Sequence, residues 1–146
     1  MLSATSKYAL RALVHLATHH GAETAVLGRE LAENTKIPSQ YLSKIMLTLK
    51  NAGLVTTARG TGGGYRLARP TQEIPLGEVL ALFEGEAANP ECLLGVNEEC
   101  SEIDPCTAHA SWRELRNAYT DFFRNTTLAD ISGGGTLPTT RGGDGR

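Results

Sequence analysis

No apolar run in this sequence approaches the roughly 20 residues that a membrane-crossing helix needs. The first residues also lack the layout of a secretion signal, because Arg11 and His15 interrupt the apolar positions. A cytosolic protein without membrane attachment is therefore the expectation. Cysteine is scarce: there are 3, an odd number that cannot pair off internally, and a reducing cytosol disfavours a disulfide framework anyway. No Lys-Ser/Thr pair follows the glycines at 60–64, so the phosphate loop of a nucleotide hydrolase is absent, and dinucleotide spacing fails as well. No nucleophile, base and oxyanion-donor set stands out, so catalytic turnover is not expected. Finally, Lys and Arg are missing altogether from Thr71 to Trp112.

That last gap reflects a division of charge. Residues 1–70 carry nine Lys/Arg against three acids, a balance of +6, whereas residues 71–146 carry five against thirteen, a balance of −8. The overall −2 conceals both. A basic half suits a polyanion and an acidic half is kept away from one, although a solvated surface would show the same asymmetry. With 146 residues, 40% of them hydrophobic, one compact chain with its own core is expected.

Between Ser6 and His20 the apolar residues Ala9, Leu10, Leu13, Val14, Leu16 and Ala17 share a helical stripe. A short helix is expected over Leu27–Asn34. A third opens after the turn Thr35-Lys36-Ile37 at Pro38, with Leu42, Ile45, Met46 and Leu49 at i, i+3, i+4, i+7. Gly53 suits its termination. Two strands, Leu54–Ala58 and Tyr65–Ala68, flank Arg59-Gly60-Thr61-Gly62-Gly63-Gly64. Glycines in that number make a hairpin tip able to lie close to another backbone. Two short helices, a tight turn and a hairpin spell a winged helix-turn-helix. Pro75 begins a further helix with Leu76, Val79, Leu80 and Phe83 inward. Asp104-Pro105 reads as N-cap and first helical residue of a long helix running to Asn125. Along it Trp112, Leu115, Tyr119 and Phe122 form a seam, for its own domain or for a second copy. Thr126 and Thr127 favour a short capped segment, Leu128–Ile131. From Ser132 the chain is rich in Gly and Thr, and disorder is expected.

The fold class is thus mainly α with a small β-wing. The boundaries are 1–70 for the DNA-binding region, 71–131 for a ligand loop and long helix in the same compact chain, and 132–146 for the tail. The wet face of the third helix presents Gln40, Ser43, Lys44, Leu47 and Asn51. Gln pairs with adenine edges and Lys with guanine or phosphate, while an ordinary solvated face would look similar taken alone. Arg59 at the wing tip fits a narrow minor groove, glycine N–H groups approach phosphates unobstructed, and Arg66 and Arg69 add charge nearby.

Cys92-x7-Cys100-x5-Cys106-x2-His109 places four soft or borderline ligands within eighteen positions. Cys106 falls near a helix start, where the dipole favours thiolate, and His109 shares its face. Tetrahedral zinc accepts a Cys3His set, and iron–sulfur clusters take cysteine with occasional histidine. A metal-free thiol switch is the third option, opposed by Glu91, Glu98, Glu99, Glu102 and Asp104 around the sulfurs. His15, His19 and His20 read as ordinary helix-end residues.

These residues together resemble the IscR/NsrR-type family of bacterial transcription regulators, winged-helix dimers that bind iron–sulfur clusters. The resemblance runs from Leu2 to Ile131. It is carried by Ser6-Lys7-Tyr8-Ala9-Leu10, Tyr41-Leu42, Gly53-Leu54-Val55, the wing Arg59 to Tyr65, Ile74-Pro75-Leu76-Gly77-Glu78-Val79 and the cysteines. It implies a homodimer crossed at the long helix, bound to double-stranded operator DNA. Cys92, Cys100 and Cys106 are then cluster ligands. Cys106-Thr107-Ala108-His109 with Trp112 is similar to the cluster-assembly branch, whose histidine completes a [2Fe-2S] site. In nitric-oxide-sensing relatives a residue of the partner's first helix completes a [4Fe-4S] site, but Tyr8 and Arg11 stand there instead of an acid. The first cysteine gap is two residues longer than in the cluster-assembly branch. The expected DNA contacts are Ser39, Gln40, Tyr41, Ser43 and Lys44 on the reading helix, with Arg59, Gly62, Gly63, Gly64 and Tyr65 on the wing. The rival expectation is a protein that handles zinc or iron–sulfur centres and uses the winged helix as an interaction scaffold.

Overall fold

The computed structural model describes residues 2–20, 24–58, 63–85, 91–97 and 100–133. Helix α1 (Ala4–His15) starts where the Ser3 hydroxyl accepts a bond from the Ser6 N–H at 3.2 Å, satisfying one of the unpaired first-turn donors. It continues directly into a π-helical turn, Leu16–His20. Helices α2 (Gly28–Thr35) and α3 (Ser39–Asn51) follow, joined by a turn in which Lys36 ends α2 in the left-handed conformation. Gly53, with φ of +77°, releases the chain from α3, as its position in the sequence anticipates.

Strands β1 (Val55–Ala58) and β2 (Gly64–Leu67) pair antiparallel with Val55 opposite Leu67 and Ala58 opposite Gly64. A third extended segment completes this wing. Val26 and Tyr65 exchange two backbone hydrogen bonds of 2.7 Å each. No alternating pattern marks a one-residue bridge, so sequence periodicity does not reveal it.

Helices α4 (Leu76–Glu84), α5 (His109–Asn125) and α6 (Leu128–Ser132) make up the remainder. The Asp130 carboxylate accepts from the Thr127 N–H at 2.8 Å and closes a capping box on α6. The Leu128 N–H donates to the Ile74 carbonyl and the Leu76 N–H to the Thr126 carbonyl. These bonds seat Leu128 in the same cluster as Ala9, Leu13, Leu31, Met46, Leu49 and Val79. One core therefore joins the helix-turn-helix to the returning C-terminal helix. Where α4 crosses α5, a Cβ added to Gly77 would lie 3.2 Å from the Phe123 carbonyl oxygen, so the two backbones approach closely.

Helix α5 begins later than the Asp104-Pro105 pair implies. The Asp104 carbonyl is taken by the Asn97 side-chain amide at 2.8 Å. The His109 N–H bonds the Cys106 carbonyl at 3.0 Å, and residues 104–108 lie outside the helix, with a turn at 107–108. The helix is 17 residues long, about 25 Å. Ser132, expected in the tail, belongs to α6 and donates to the Leu128 carbonyl. The rest of the expected tail, 134–146, lies outside the described residues, as do Arg59 and Gly62 of the wing.

Candidate metal centre and nucleic-acid interface

One face of α5 organises the cysteine loop. Residues 109, 112, 113 and 116 recur at i, i+3, i+4 and i+7 and so share a stripe. All four reach the loop. His109 Nδ1 lies 3.3 Å from Cys100 Sγ, and the Trp112 indole N–H donates to the Glu91 carbonyl at 2.8 Å. Arg113 pairs with Glu102 at 3.4 Å on the exposed side, while the Arg116 guanidinium donates to the Cys100 carbonyl at 2.8 Å. Trp112 therefore has two roles open to it: its ring lies on the seam predicted by spacing, and its polar end is committed to the loop.

The four candidate ligands gather as two pairs, Cys92 with Cys106 and Cys100 with His109. The sulfurs of the first pair are 3.7 Å apart. Two thiolates at ~2.3 Å from one tetrahedral metal would stand ~3.8 Å apart, and a thiolate and an imidazole nitrogen ~3.5 Å apart. Both observed spacings, 3.7 and 3.3 Å, are close to these values. His109 is buried; Nδ1 is the ring nitrogen that faces Cys100, while Nε2, on the far side of the ring, has no hydrogen-bond partner. Among the described residues no three Cys, His, Asp or Glu side chains converge on a single point. The four side chains stand as two separate pairs.

Cys92 is buried, and its thiol pKa is lowered to about 7. The main cause is the Asn97 backbone N–H; burial opposes it, and the N–H groups of Leu94 and Val96 with the Cys106 thiol assist. The acids along this stretch predict a disfavoured thiolate, whereas at Cys92 backbone N–H groups lower the pKa; their direction cannot be read from residue types.

The five candidate DNA contacts of α3, Ser39, Gln40, Tyr41, Ser43 and Lys44, are all exposed. Leu47 is also exposed, at 57%. The Ser43 hydroxyl donates to the Ser39 carbonyl at 3.1 Å. Tyr41 stands 6.5 Å, centroid to centroid, from Tyr8 of α1, and the Arg11 guanidinium lies 5.4 Å from the Tyr8 ring centre. Gly64 and Tyr65 have packing duties. A Cβ at Gly64 would fall 2.3 Å from the Val26 carbonyl oxygen, and the Tyr65 ring lies against Gly28 at the start of α2. Arg69 is engaged as well: its guanidinium grips both oxygens of Glu78, at 2.7 and 3.0 Å, and also the Glu73 carbonyl. The charge that Arg69 was expected to add near the wing is thus paired with Glu78 on α4.

Sequence reasoning also missed Glu84. One of its carboxylate oxygens accepts bonds from the Ser3 N–H, the Ser3 hydroxyl and the Ser6 hydroxyl. The last turn of α4 is thereby tied to the first turn of α1. Among the described residues, no helix is long and apolar enough to cross a membrane.

Comparison with known proteins gives a consistent picture. A family model described as "Rrf2: Iron-dependent Transcriptional regulator" matches residues 2–133. The HTH-type transcriptional regulator IscR of Vibrio cholerae is 32% identical over 130 residues, covering 89% of this chain and 73% of its own. Among solved structures, CymR, the global cysteine regulator of B. subtilis, superposes with a TM-score of 0.74 at 28% identity, over 93% of this chain and 98% of CymR. The T. potens IscR structure gives 0.69 at 27% identity, over 90% and 85%.

Proposed function

The chain belongs to the Rrf2 family of transcriptional regulators, and from that premise we propose that it is a homodimeric, iron–sulfur-dependent regulator of operator binding. It is a DNA-binding regulator and not an enzyme, as the family is. In the proposed reading Cys92, Cys100, Cys106 and His109 hold the cluster. The observation that carries it is the two-and-two arrangement of these donors, at 3.7 and 3.3 Å. A [2Fe-2S] cluster takes two protein ligands at each iron, so this arrangement favours it over [4Fe-4S]; a mononuclear zinc site needs all four donors around one point.

When bound, the cluster supplies an oxidant- and nitric-oxide-sensitive link between the loop and the start of α5. The protein's own residues do the rest. Trp112 and Arg116 hold the loop backbone against α5, and Glu84 ties α4 to α1, the helix behind the reading head. The exposed side of α5 carries Leu115 and Phe122, 59% and 53% accessible. An apolar stripe of this kind is a seam for a second copy. The dimer sets the spacing of two reading heads, which must match half-sites about one helical turn, or a multiple, apart. Ser39, Gln40, Tyr41, Ser43 and Lys44 enter the major groove, and the wing from Arg59 through Gly62, Gly63, Gly64 and Tyr65 follows the backbone. Residues 1–70 act as the reading region and 71–131 as the cluster and dimer region. A coupling of about 1–3 kcal/mol between cluster and operator changes occupancy about 5–150-fold.

Anaerobic purification tests the reading. A brown protein containing iron and sulfide in equal amounts, near two of each per chain, is the expected result. A colourless protein with one zinc would overturn the cluster. CymR, described as a cysteine regulator on the same fold, makes the measurement necessary: the fold alone does not define the signal. A zinc- or cluster-handling carrier is disfavoured by membership of a transcription-regulator family.

A further inference from the structure

We infer that Lys36, in the turn between α2 and the reading helix, is a DNA phosphate-binding residue; the inference rests on the DNA-binding reading. Lys36 has φ 56° and ψ 34°, and among the described residues it is the one non-glycine with positive φ. The other such positions, 53, 85 and 95, are glycine. A side chain is disfavoured there because its Cβ crowds the following carbonyl, so the backbone calls for glycine at 36 too. A lysine at such a position needs a reason from outside the local chain.

No internal reason is found. The residue is exposed, and among the described residues no acid pairs with it. A cation near the last turn of α2 would favour the helix dipole. That role is already taken, because Arg11 donates to the Thr35 carbonyl at 2.9 Å from inside the fold. Lys36 precedes Ser39, the first residue of α3, by three positions, at most ~10 Å along the chain. In a helix-turn-helix the helix before the reader crosses the DNA backbone while the reader's first turn meets the bases. The turn between them thus lies beside phosphate, where the negative end of α2 would otherwise be repelled.

The test separates conformation from charge. Lys36→Gly relieves the backbone, Lys36→Asn keeps a residue tolerant of this conformation but removes the charge, and Lys36→Arg keeps the charge. The probe is a fluorescent mixed-sequence duplex of ~30 base pairs, three helical turns, because non-specific binding counts phosphate contacts without knowledge of the operator. Lys36→Gly is expected to melt about 2–5 °C higher than wild type and yet bind more weakly, by ~8-fold at 0.1 M salt for each lysine engaged. The slope of log affinity against log salt should fall by ~0.9 per lysine in both the Gly and Asn variants and stay at the wild-type value in Lys36→Arg. Wild-type slopes in Lys36→Gly and Lys36→Asn would overturn the inference and leave DNA binding intact. A wild-type protein with no salt-sensitive binding would bring down the DNA-binding reading and the inference with it.

Discussion

Substituting Gly64 by alanine is the sharpest perturbation of this fold, because the added atom meets only backbone. The new Cβ would lie 2.3 Å from the Val26 carbonyl oxygen, 2.6 Å from its carbon and 2.9 Å from the Leu27 nitrogen. None of these is the free end of a side chain, so the strands must separate. Separation breaks both 2.7 Å bonds between Val26 and Tyr65, at about 1 kcal/mol each. It also lifts the Tyr65 ring from Gly28, adding overpacking strain of about 1–2 kcal/mol. The expected loss is about 3–4 kcal/mol, or a fall in melting temperature of roughly 8–15 °C for a chain of this length. Urea unfolding followed by circular dichroism measures it. An alanine variant within about 0.5 kcal/mol of wild type would refute the reasoning, because a glycine used only for DNA approach leaves stability untouched when replaced.

Four further outcomes are expected. Glu84→Gln should lower stability by about 1 kcal/mol at neutral pH. Hydrogen bonds from the Ser6 hydroxyl first, then the Ser3 hydroxyl and N–H, hold the Glu84 carboxyl below its ordinary pKa. A depressed folded-state pKa stabilises above the unfolded value and is lost as pH falls through the folded one. The gap between Glu84→Gln and wild type should therefore close from about pH 5 downward in thermal melts; a gap constant to pH 3 counts against the assignment. Arg116→Ala frees the Cys100 carbonyl, and the visible absorption of the holoprotein should bleach faster in air, with metal affinity down ~10–100-fold. Cys106→Ala should abolish the difference in operator binding between cluster-loaded and stripped protein, whereas Arg59→Ala should weaken binding in both; a full difference retained in Cys106→Ala would remove it from the ligand set. Raising salt from 50 to 200 mM should weaken binding of the wild type steeply, and insensitivity would exclude phosphate anchoring.

The likeness to both IscR and CymR has a physical basis. The reading head and the core that carries it depend on apolar residues spread from α1 to α6, whereas the cysteines sit on a loop held to α5 by a handful of polar contacts. A loop of that kind is free to take up different chemistry on an unchanged frame.

Periodicity and turn chemistry in the chain alone determined the helix-turn-helix, the hairpin, the release at Gly53 and the short capped segment after Thr127, because each depends on residues within a few positions of one another. Residue type and spacing likewise singled out Cys92, Cys100, Cys106 and His109. Only the folded molecule decided how those four divide into pairs, since Cys92 meets Cys106 across a turn whose course depends on Asn97 and the delayed start of α5. It also showed Tyr65 bridging to Val26 with Gly64 packed against that bridge, Arg69 spent on Glu78, and Glu84 tying α4 to α1. Each of these joins groups far apart along the chain or fixes the direction of a backbone N–H, and neither distance nor direction is written in local pattern.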